Sequence, residues 1–555
     1  MESTSPPSSS KNSLIDLTPG IPAGLKHWVS LPDLSIPVTT RKNPLLTAFW
    51  GFRSSLKALI SSRLNRSGTS KVSTSLSTRS SNLSFMSTKR STFSSTSFNI
   101  PASSLKANPV CFKYPSIYIC MSVHSSLRSS LSLREYWGFI KDPLYGYVKI
   151  SDDEKSVIDT KAFQRLRRIK QLSGSEYVYP AANHTRFEHS LGTMYLAGFF
   201  AEQSMVELSE EEGRLLRLAA LLHDVGHGPF SHVYEGLLVK YKGKTHEDMT
   251  KWIIENSTLA DLLNGLGFDP KEVSALSVGE PRVRGKPYLS QVVRSSVDVD
   301  KMDFIVRDSY HTGAGYGFVD VFRILYTMDV LDGNLAVDVK ALSALETFLI
   351  ARIESFRSIY FHRTSRAVQI MLLHAMEMAR DELGLLDFQT AEDYLAMDDY
   401  NVWSALCSSE KAKPIMEDLM ERRLLKCVYE RTLFLESSLV SSLLTNETVK
   451  SKLEEEIASD AGVSAEDVFI DSPSLPSVPY SHSSHLEPME IPVFRRSADG
   501  RKVAQKLTEL SRLIGFLRNV MNIVRVYSKE AYREAVAKAS EKIFGRPTIS
   551  DVVSY

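Results

Sequence analysis

Histidine is concentrated in one stretch of this chain, with carboxylates beside it. Six of the thirteen histidines lie between His184 and His246, in and around the strings RFEHSLG, LLHDVGHGPFSH and THED. An even spread would put only about one or two there. A further string, DVDKMD, carries Asp298, Asp300 and Asp303. Imidazole offers a neutral nitrogen and carboxylate offers charge, the donor mixture of a transition-metal site. A bare His-Asp pair has no weight, because roughly 0.7 such pairs arise by chance at this composition. Context separates His223-Asp224 from chance. The pair ends the apolar run LLRLAALL and meets Gly226 and Gly228, where a tight turn is expected. Two adjacent donors at a helix end face one ion only if other helices close the site. His189 and Asp300 are the natural closers. The plainer reading, core histidines and capped helix ends, suits any one of these residues better than all four together. Two imidazoles and two carboxylates suit Mn, Fe, Zn or Ni better than Ca. They leave two octahedral positions for a water and a phosphate oxygen, and a metal lowers the pKa of such a water to about 7.

Helices must position these groups. Apolar spacing predicts a helix opened by Asp159 through DTKAFQRLRRIKQL and a second over 186–203. Ser209 with Glu212 is a capping-box signal for a helix that runs into His223. Helical patterns continue over 340–382, 412–458, 503–526 and 528–544. REYWGFIKDPLYGYVKI reads as short strands and turns, EIPVF as a strand, and 471–484 as a loop. GAGYG (313–317) follows a helical segment, so it is not a dinucleotide fingerprint but a flexible turn near the site mouth. YFHRTSR (360–366) reads either as helix surface or as a contact for substrate or nucleic acid. There is no internal repeat.

The chain has 43% hydrophobic and 24% charged residues, which suits a soluble globular protein of more than one part. Cys111, Cys120, Cys407 and Cys427 form no CxxC pair, which favours a reducing compartment over a disulfide scaffold. No apolar run is long enough to predict a membrane helix. The net charge of +1 hides an asymmetry. Residues 1–130 hold fifteen Lys and Arg against three acids, and the remainder holds 51 against 62. An acidic body does not look like a nonspecific nucleic-acid binder. Residues 1–130 are Ser-rich, basic and poor in periodicity, and are expected to be disordered. They read as transit-like, which would make the protein organellar, or as a mis-assigned start upstream of Met121, which leaves it cytoplasmic.

IDTKAFQRLRRIKQL, RFEHSLG, HDVGHGPFSH, THE and DVDKMDFIVRDS occur in this order between Lys141 and Gln369. The series resembles the HD-domain phosphohydrolase superfamily. Within it, the chain is most similar to dNTP triphosphohydrolases of the sterile-alpha-motif-and-HD-domain type and their prokaryotic relatives, without an apparent sterile alpha motif. The resemblance implies a mainly α fold: an HD-domain helical bundle with a few peripheral strands and a small α+β C-terminal region. It places the phosphohydrolase domain at 131–385 and a mostly helical packing or oligomerisation region at 386–555.

The resemblance implies His189, His223, Asp224 and Asp300 as ligands of one divalent transition metal, with an additional Mg²⁺ on a triphosphate as an option. Asp298 and Asp300, at i and i+2, cannot share a helix face, so Asp298 supports from outside or caps the helix. His227 would touch phosphate or the attacking water. His246 would be the general acid, its protonation set by Glu235 or His232. For each of these histidines a purely structural place beside the metal is the alternative. Arg186, Lys301 and Arg352 match phosphate-binding positions, and Arg186 shares a face with His189 at i, i+3. Gln171 and Leu172 match sugar contacts, with Leu172 against C2′ excluding a ribose hydroxyl. Asp308 matches an acceptor for the 3′-hydroxyl, and Tyr360 a residue stacked beside the sugar. Two positions depart from the pattern. Phe304 stands where vertebrate-type enzymes carry tyrosine. Asp159, Gln164 and Arg167 match part of a guanine-regulator site, but its lysine is replaced by Gly138, and capping or surface hydrogen bonds explain Asp159 and Gln164 equally well.

The implied reaction is hydrolysis of dNTPs to deoxynucleoside and tripolyphosphate by a metal-activated water, in a dimer or tetramer. Hydrolysis of another nucleotide is the alternative. A non-catalytic nucleotide or single-strand nucleic-acid binder is the second alternative.

Overall fold

The computed structural model describes residues 136–281, 283–435, 446–475, 492–516 and 520–548. The Ser-rich segment and most of 471–484 lie outside them. Strands β1 (Tyr136–Asp142) and β2 (Gly146–Ser151) form an antiparallel hairpin. Ser151 then caps the helix Asp152–Ile158 through a capping box with Glu154. The expected helix start at Asp159 is not observed. Asp159 ends the preceding helix and pairs with Lys155 (2.6 Å), while Thr160 caps a short Lys161–Gln164 helix that tightens into a 3₁₀ turn.

The helices Arg186–Gln203 and Glu210–Leu222 appear where the sequence places them, the second with the Ser209–Glu212 capping box. They pack against each other, and Val299–Thr312 lies against the first. Asp298 caps Val299–Thr312, accepting from the Lys301 N–H at 2.7 Å. Leu342–Ser355 and Arg363–Ala379 account for the helical pattern over 340–382, interrupted by a wide turn at Phe356–Tyr360. Most of these helices close on one apolar core that includes Phe163, Phe200, Leu218, Ile305 and Phe348. The body is mainly α, and among the described helices none is long and apolar enough to cross a membrane.

Two expected helices are strands in part. After the helix Lys413–Met420, the 412–458 pattern holds β5 (Lys426–Leu435), then the helix Glu447–Ala461. The 503–526 pattern holds the end of β9 (Lys502–Gln505), two short helices and β10 (Val520–Ser528). β10 pairs with β5 along its length and with β6 (Phe469–Asp471) and β7 (Ser474–Leu475) on its other edge. A central strand is buried on both faces, so Ile523–Tyr527 is buried throughout, Arg525 included, and lacks the alternation that marks a half-buried strand. The last helix is Arg533–Phe544, shorter than expected. It packs with Glu447–Ala461 over Tyr429, Ile470 and Val526 to make a second, smaller core. EIPVF contributes to β8 (Val493–Arg496), which runs parallel to β4 (Asn334–Asp338), beside β3 (Met328–Leu331).

Candidate metal centre and its proton-handling neighbours

His189 lies one turn into its helix and is buried, and His223 follows the last turn of Glu210–Leu222. Asp303 binds Nδ1 of His189 (2.8 Å) and the Ala220 carbonyl binds Nδ1 of His223 (2.8 Å). With both Nδ1 atoms committed, the two Nε2 atoms face each other at 3.2 Å. Two lone pairs so placed repel unless a proton or a cation lies between them. Asp300 Oδ1 stands 3.1 Å from His189 Nε2 and 3.7 Å from His223 Nε2. These three residues each offer a donor atom within 4.8 Å of the others.

Asp224 is shared. Its Oδ1 is 3.3 Å from His223 Nε2 and 3.4 Å from His227 Nε2. Its Oδ2 is 3.6 Å from His189 but accepts from Arg186 Nη1 at 2.5 Å. All four expected ligands therefore converge. Burial alone would lower His189, but Asp300 and Asp303 carry its pKa up to about 10. His223 is raised against burial by Asp224 and Asp300. Asp224 and Asp300 are held well below the carboxylate range against burial, Asp224 chiefly by Arg186 and Asp300 by hydrogen bonds from the two histidines. Carboxylates gathered around two imidazole nitrogens give the ionised oxygens and the nitrogen donors that a divalent ion requires.

The turn expected at the glycines forms over 223–226. Gly226 and Gly228 do not turn the chain through positive φ. They allow close approach: a Cβ on Gly226 would stand 2.2 Å from the His246 carbonyl oxygen, and one on Gly228 would stand 2.2 Å from the Tyr234 ring.

A second cluster adjoins the first. His246 opens the helix His246–Asn256, and His232 opens His232–Lys242. Glu235 joins them: Oε1 meets His246 Nδ1 at 2.5 Å and Oε2 meets His232 Nδ1 at 2.8 Å. These bonds hold the Glu235 carboxyl far below its usual range despite burial. The His227 ring stacks on His246 (4.0 Å between centroids, 16°). Burial, Arg186 and His246 push His227 well below its ordinary pKa. His232 is solvent-exposed, and the half-buried Glu235 is the hydrogen-bonded partner of His246.

The expected substrate residues divide. Arg186 is buried, with Nη1 on Asp224 and Nε on the Ser231 hydroxyl (2.7 Å). Lys301 is held by Asp298 (2.7 Å). Arg352 keeps Nε and Nη1 buried without partners, and burial draws its pKa down to about 10. Gln171 Oε1 is likewise unpartnered. Leu172 packs with Ala182 and Ile359 against Tyr179, Tyr316 and Tyr360. Asp308 has both oxygens engaged, by His184 Nε2 (2.8 Å) and by the Tyr360 hydroxyl. Phe304 meets Tyr360 edge-on (6.1 Å). Arg167 bonds Gln164 (2.9 Å) and lies 3.5 Å over the Phe187 ring.

Several residues that position the site had no role in the sequence reading. Arg307 binds Asp303 through Nε (2.8 Å) and Nη2 (2.9 Å), and Asp142 through Nη1 (2.9 Å). The Tyr145 hydroxyl also donates to Asp303 (2.8 Å). His184, left unassigned, supports Asp308. Asp303 and Arg307 are at i, i+4 on the Asp300 helix and were findable from spacing. Asp142 and Tyr145 come from the distant hairpin and were not.

The HD domain model matches residues 186–276, and the HD associated region matches 319–553. Uncharacterized protein MG461 of Mycoplasma genitalium is 30% identical over 304 residues, covering 52% of this chain and 69% of that protein. The deoxynucleoside triphosphate triphosphohydrolase SAMHD1 homolog of Dictyostelium discoideum is 31% identical, covering 54% of this chain and 61% of that one. A crystal structure of a hypothetical protein from Aquifex aeolicus superposes with a TM-score of 0.59 at 29% identity, covering 72% of this chain and 99% of that one. The chain spans 56 to 61% of the length of three of the curated relatives it matches.

Proposed function

This chain belongs to the HD-domain phosphohydrolase superfamily, and from that premise we propose that it hydrolyses dNTPs to deoxynucleoside and tripolyphosphate. The observation that carries the reading is the convergence of His189, His223, Asp224 and Asp300 beside the Glu235–His246 pair. A divalent transition metal (Mn, Fe, Zn or Ni) held by those four residues would supply an activated water and neutralise phosphoryl charge.

The chain's own groups do the rest. Glu235 fixes the His246 Nδ1 proton, so that His246 Nε2 is the atom that hands a proton to the leaving oxygen. His227, kept neutral, turns its Nε2–H toward Asp224 and leaves Nδ1 to accept from the attacking water. Arg352 supplies two unspent N–H groups to phosphate. Lys301 adds a point charge. Arg186 orients Asp224 more directly than it meets a substrate. Leu172 blocks a 2′-hydroxyl, Gln171 offers its free carbonyl oxygen to the sugar, and a 3′-hydroxyl takes the place of the Tyr360 hydroxyl on Asp308.

Product analysis on a panel of dNTPs, NTPs and dNMPs with Mn²⁺ and Mg²⁺ tests the reading. Tripolyphosphate is expected, and orthophosphate or pyrophosphate as sole inorganic product would sink it. A second reading, hydrolysis of another nucleotide, is favoured by Phe304 and by the engagement of Arg186 and Lys301 with carboxylates. Both readings include assembly into a dimer or tetramer, which sedimentation of the full chain tests.

A further inference from the structure

A cavity of about 730 Å³ is bordered by Lys170, Phe230, Asp399, Tyr400 and Trp403. Two backbone segments contribute to its lining. One carries Lys170, Gln171 and Leu172. The other carries Phe230, Ser231 and His232. A single side chain holds both. Asp399, first residue of the helix Asp399–Ser408, accepts the Lys170 N–H on Oδ2 (2.9 Å) and the Phe230 N–H on Oδ1 (2.6 Å).

The second segment needs restraint. Phe230 and Ser231 have φ of +60° and +56°, a region that side chains other than glycine rarely occupy. Trp403, one turn along from Asp399, packs edge-on against the Phe230 ring (6.4 Å). One helix face thus grips Phe230 by backbone and by ring. The Ser231 hydroxyl donates to the Lys170 carbonyl (2.7 Å) and accepts from Arg186 Nε (2.7 Å), and Arg186 in turn holds Asp224. Hydrogen bonds through the Lys170 backbone, Ser231 and Arg186 thus link Asp399 with Asp224.

Asp399 is buried and, among the described residues, has no ion-pair partner. Burial raises its pKa to about 6, so keeping a carboxylate here costs stability. An uncharged side chain would avoid that cost but would not accept two N–H groups on two oxygens.

We propose that Asp399 is a positioning residue for hydrolysis. It locks the Lys170–Leu172 and Phe230–His232 segments together, and so sets Ser231, Arg186 and His232 against the two clusters. The proposal rests on the phosphohydrolase reading, and its test separates the two.

The test compares wild type with Asp399→Asn and Asp399→Gly. The readouts are kcat and KM on whichever substrate the wild type cleaves, bound metal, and amide hydrogen exchange over 168–172 and 229–232. Asp399→Asn keeps one acceptor and turns a donor toward the other N–H. Its kcat should fall about 10- to 100-fold with KM nearly constant, metal content unchanged and faster exchange in both segments. Asp399→Gly should lose more and recover in part with added formate, which the cavity admits. Wild-type kcat in Asp399→Asn, unchanged exchange, or loss explained by lost metal would overturn the proposal. A wild type that hydrolyses nothing defeats the functional reading instead, while the exchange measurement still decides whether Asp399 holds both segments.

Discussion

The two histidine clusters adjoin each other, yet the chain gives His189 and His223 in the first the opposite electrostatic setting from His227 in the second. His189 and His223 face carboxylates and are driven toward the protonated form. His227 is stacked on another imidazole near Arg186 and is driven toward the neutral form. The same side chain is prepared in one place for exchange with a cation and in the other for handling a proton. The difference comes from the neighbours. Three carboxylates, Asp224, Asp300 and Asp303, reach the first pair, whereas in the second Glu235 serves His232 and His246, and burial, Arg186 and His246 outweigh the one carboxylate, Asp224, that reaches His227.

The largest way to break this comparison is Asp300→Ala. It should lower hydrolysis by at least about 10³-fold and remove most bound metal, measured by elemental analysis. Retained metal and activity would mean that the first cluster is not a cation site. His246→Asn should cost about 10²- to 10³-fold in kcat while metal content stays at the wild-type level. Parallel loss of metal there would merge the two clusters into one.

A smaller effect sharpens the first cluster alone. Asp303 orients His189, so Asp303→Asn should weaken metal affinity about 10- to 100-fold in chelator competition. Unchanged affinity would leave Asp303 as a partner of Arg307 only.

The smallest effect lies in a third imidazole pair, His184 stacked on His311 (4.4 Å, 15°). Burial, then His184 and Arg307, lowers His311 to about 4. An unfolded histidine titrates near 6.5, so between about pH 4 and 6.5 the unfolded chain binds more protons. The contribution is present above that window and is lost as pH falls through about 4. Solvent screening limits it to about 1 kcal/mol. His311→Asn should flatten the pH slope of urea-unfolding stability in that range, and an unchanged slope would assign it to other groups.

Much of the site was legible because its signals are local. The capping box at Ser209 and the i, i+3 pair Arg186–His189 depend only on neighbours in sequence. The failures share a cause too. β10 looked helical because a strand covered on both faces has no alternation to show. Asp159 looked like a helix start because it stands beside Thr160, the residue whose side chain makes the cap.

By itself the sequence determined which residues offer donor atoms and the helices that carry His189 and lead into His223, since residue type and helical spacing are properties of the local chain. Only the tertiary structure decided what each donor is held by. Asp399 stands 229 residues from Lys170, and Tyr145 stands 158 residues from Asp303. No local pattern encodes such pairs, because a carboxylate in a hydrophobic interior is placed by the packing of the helices that carry it. The same packing spends Arg186 on Asp224 and leaves Arg352 unpaired, a distinction that two arginines in a sequence do not carry.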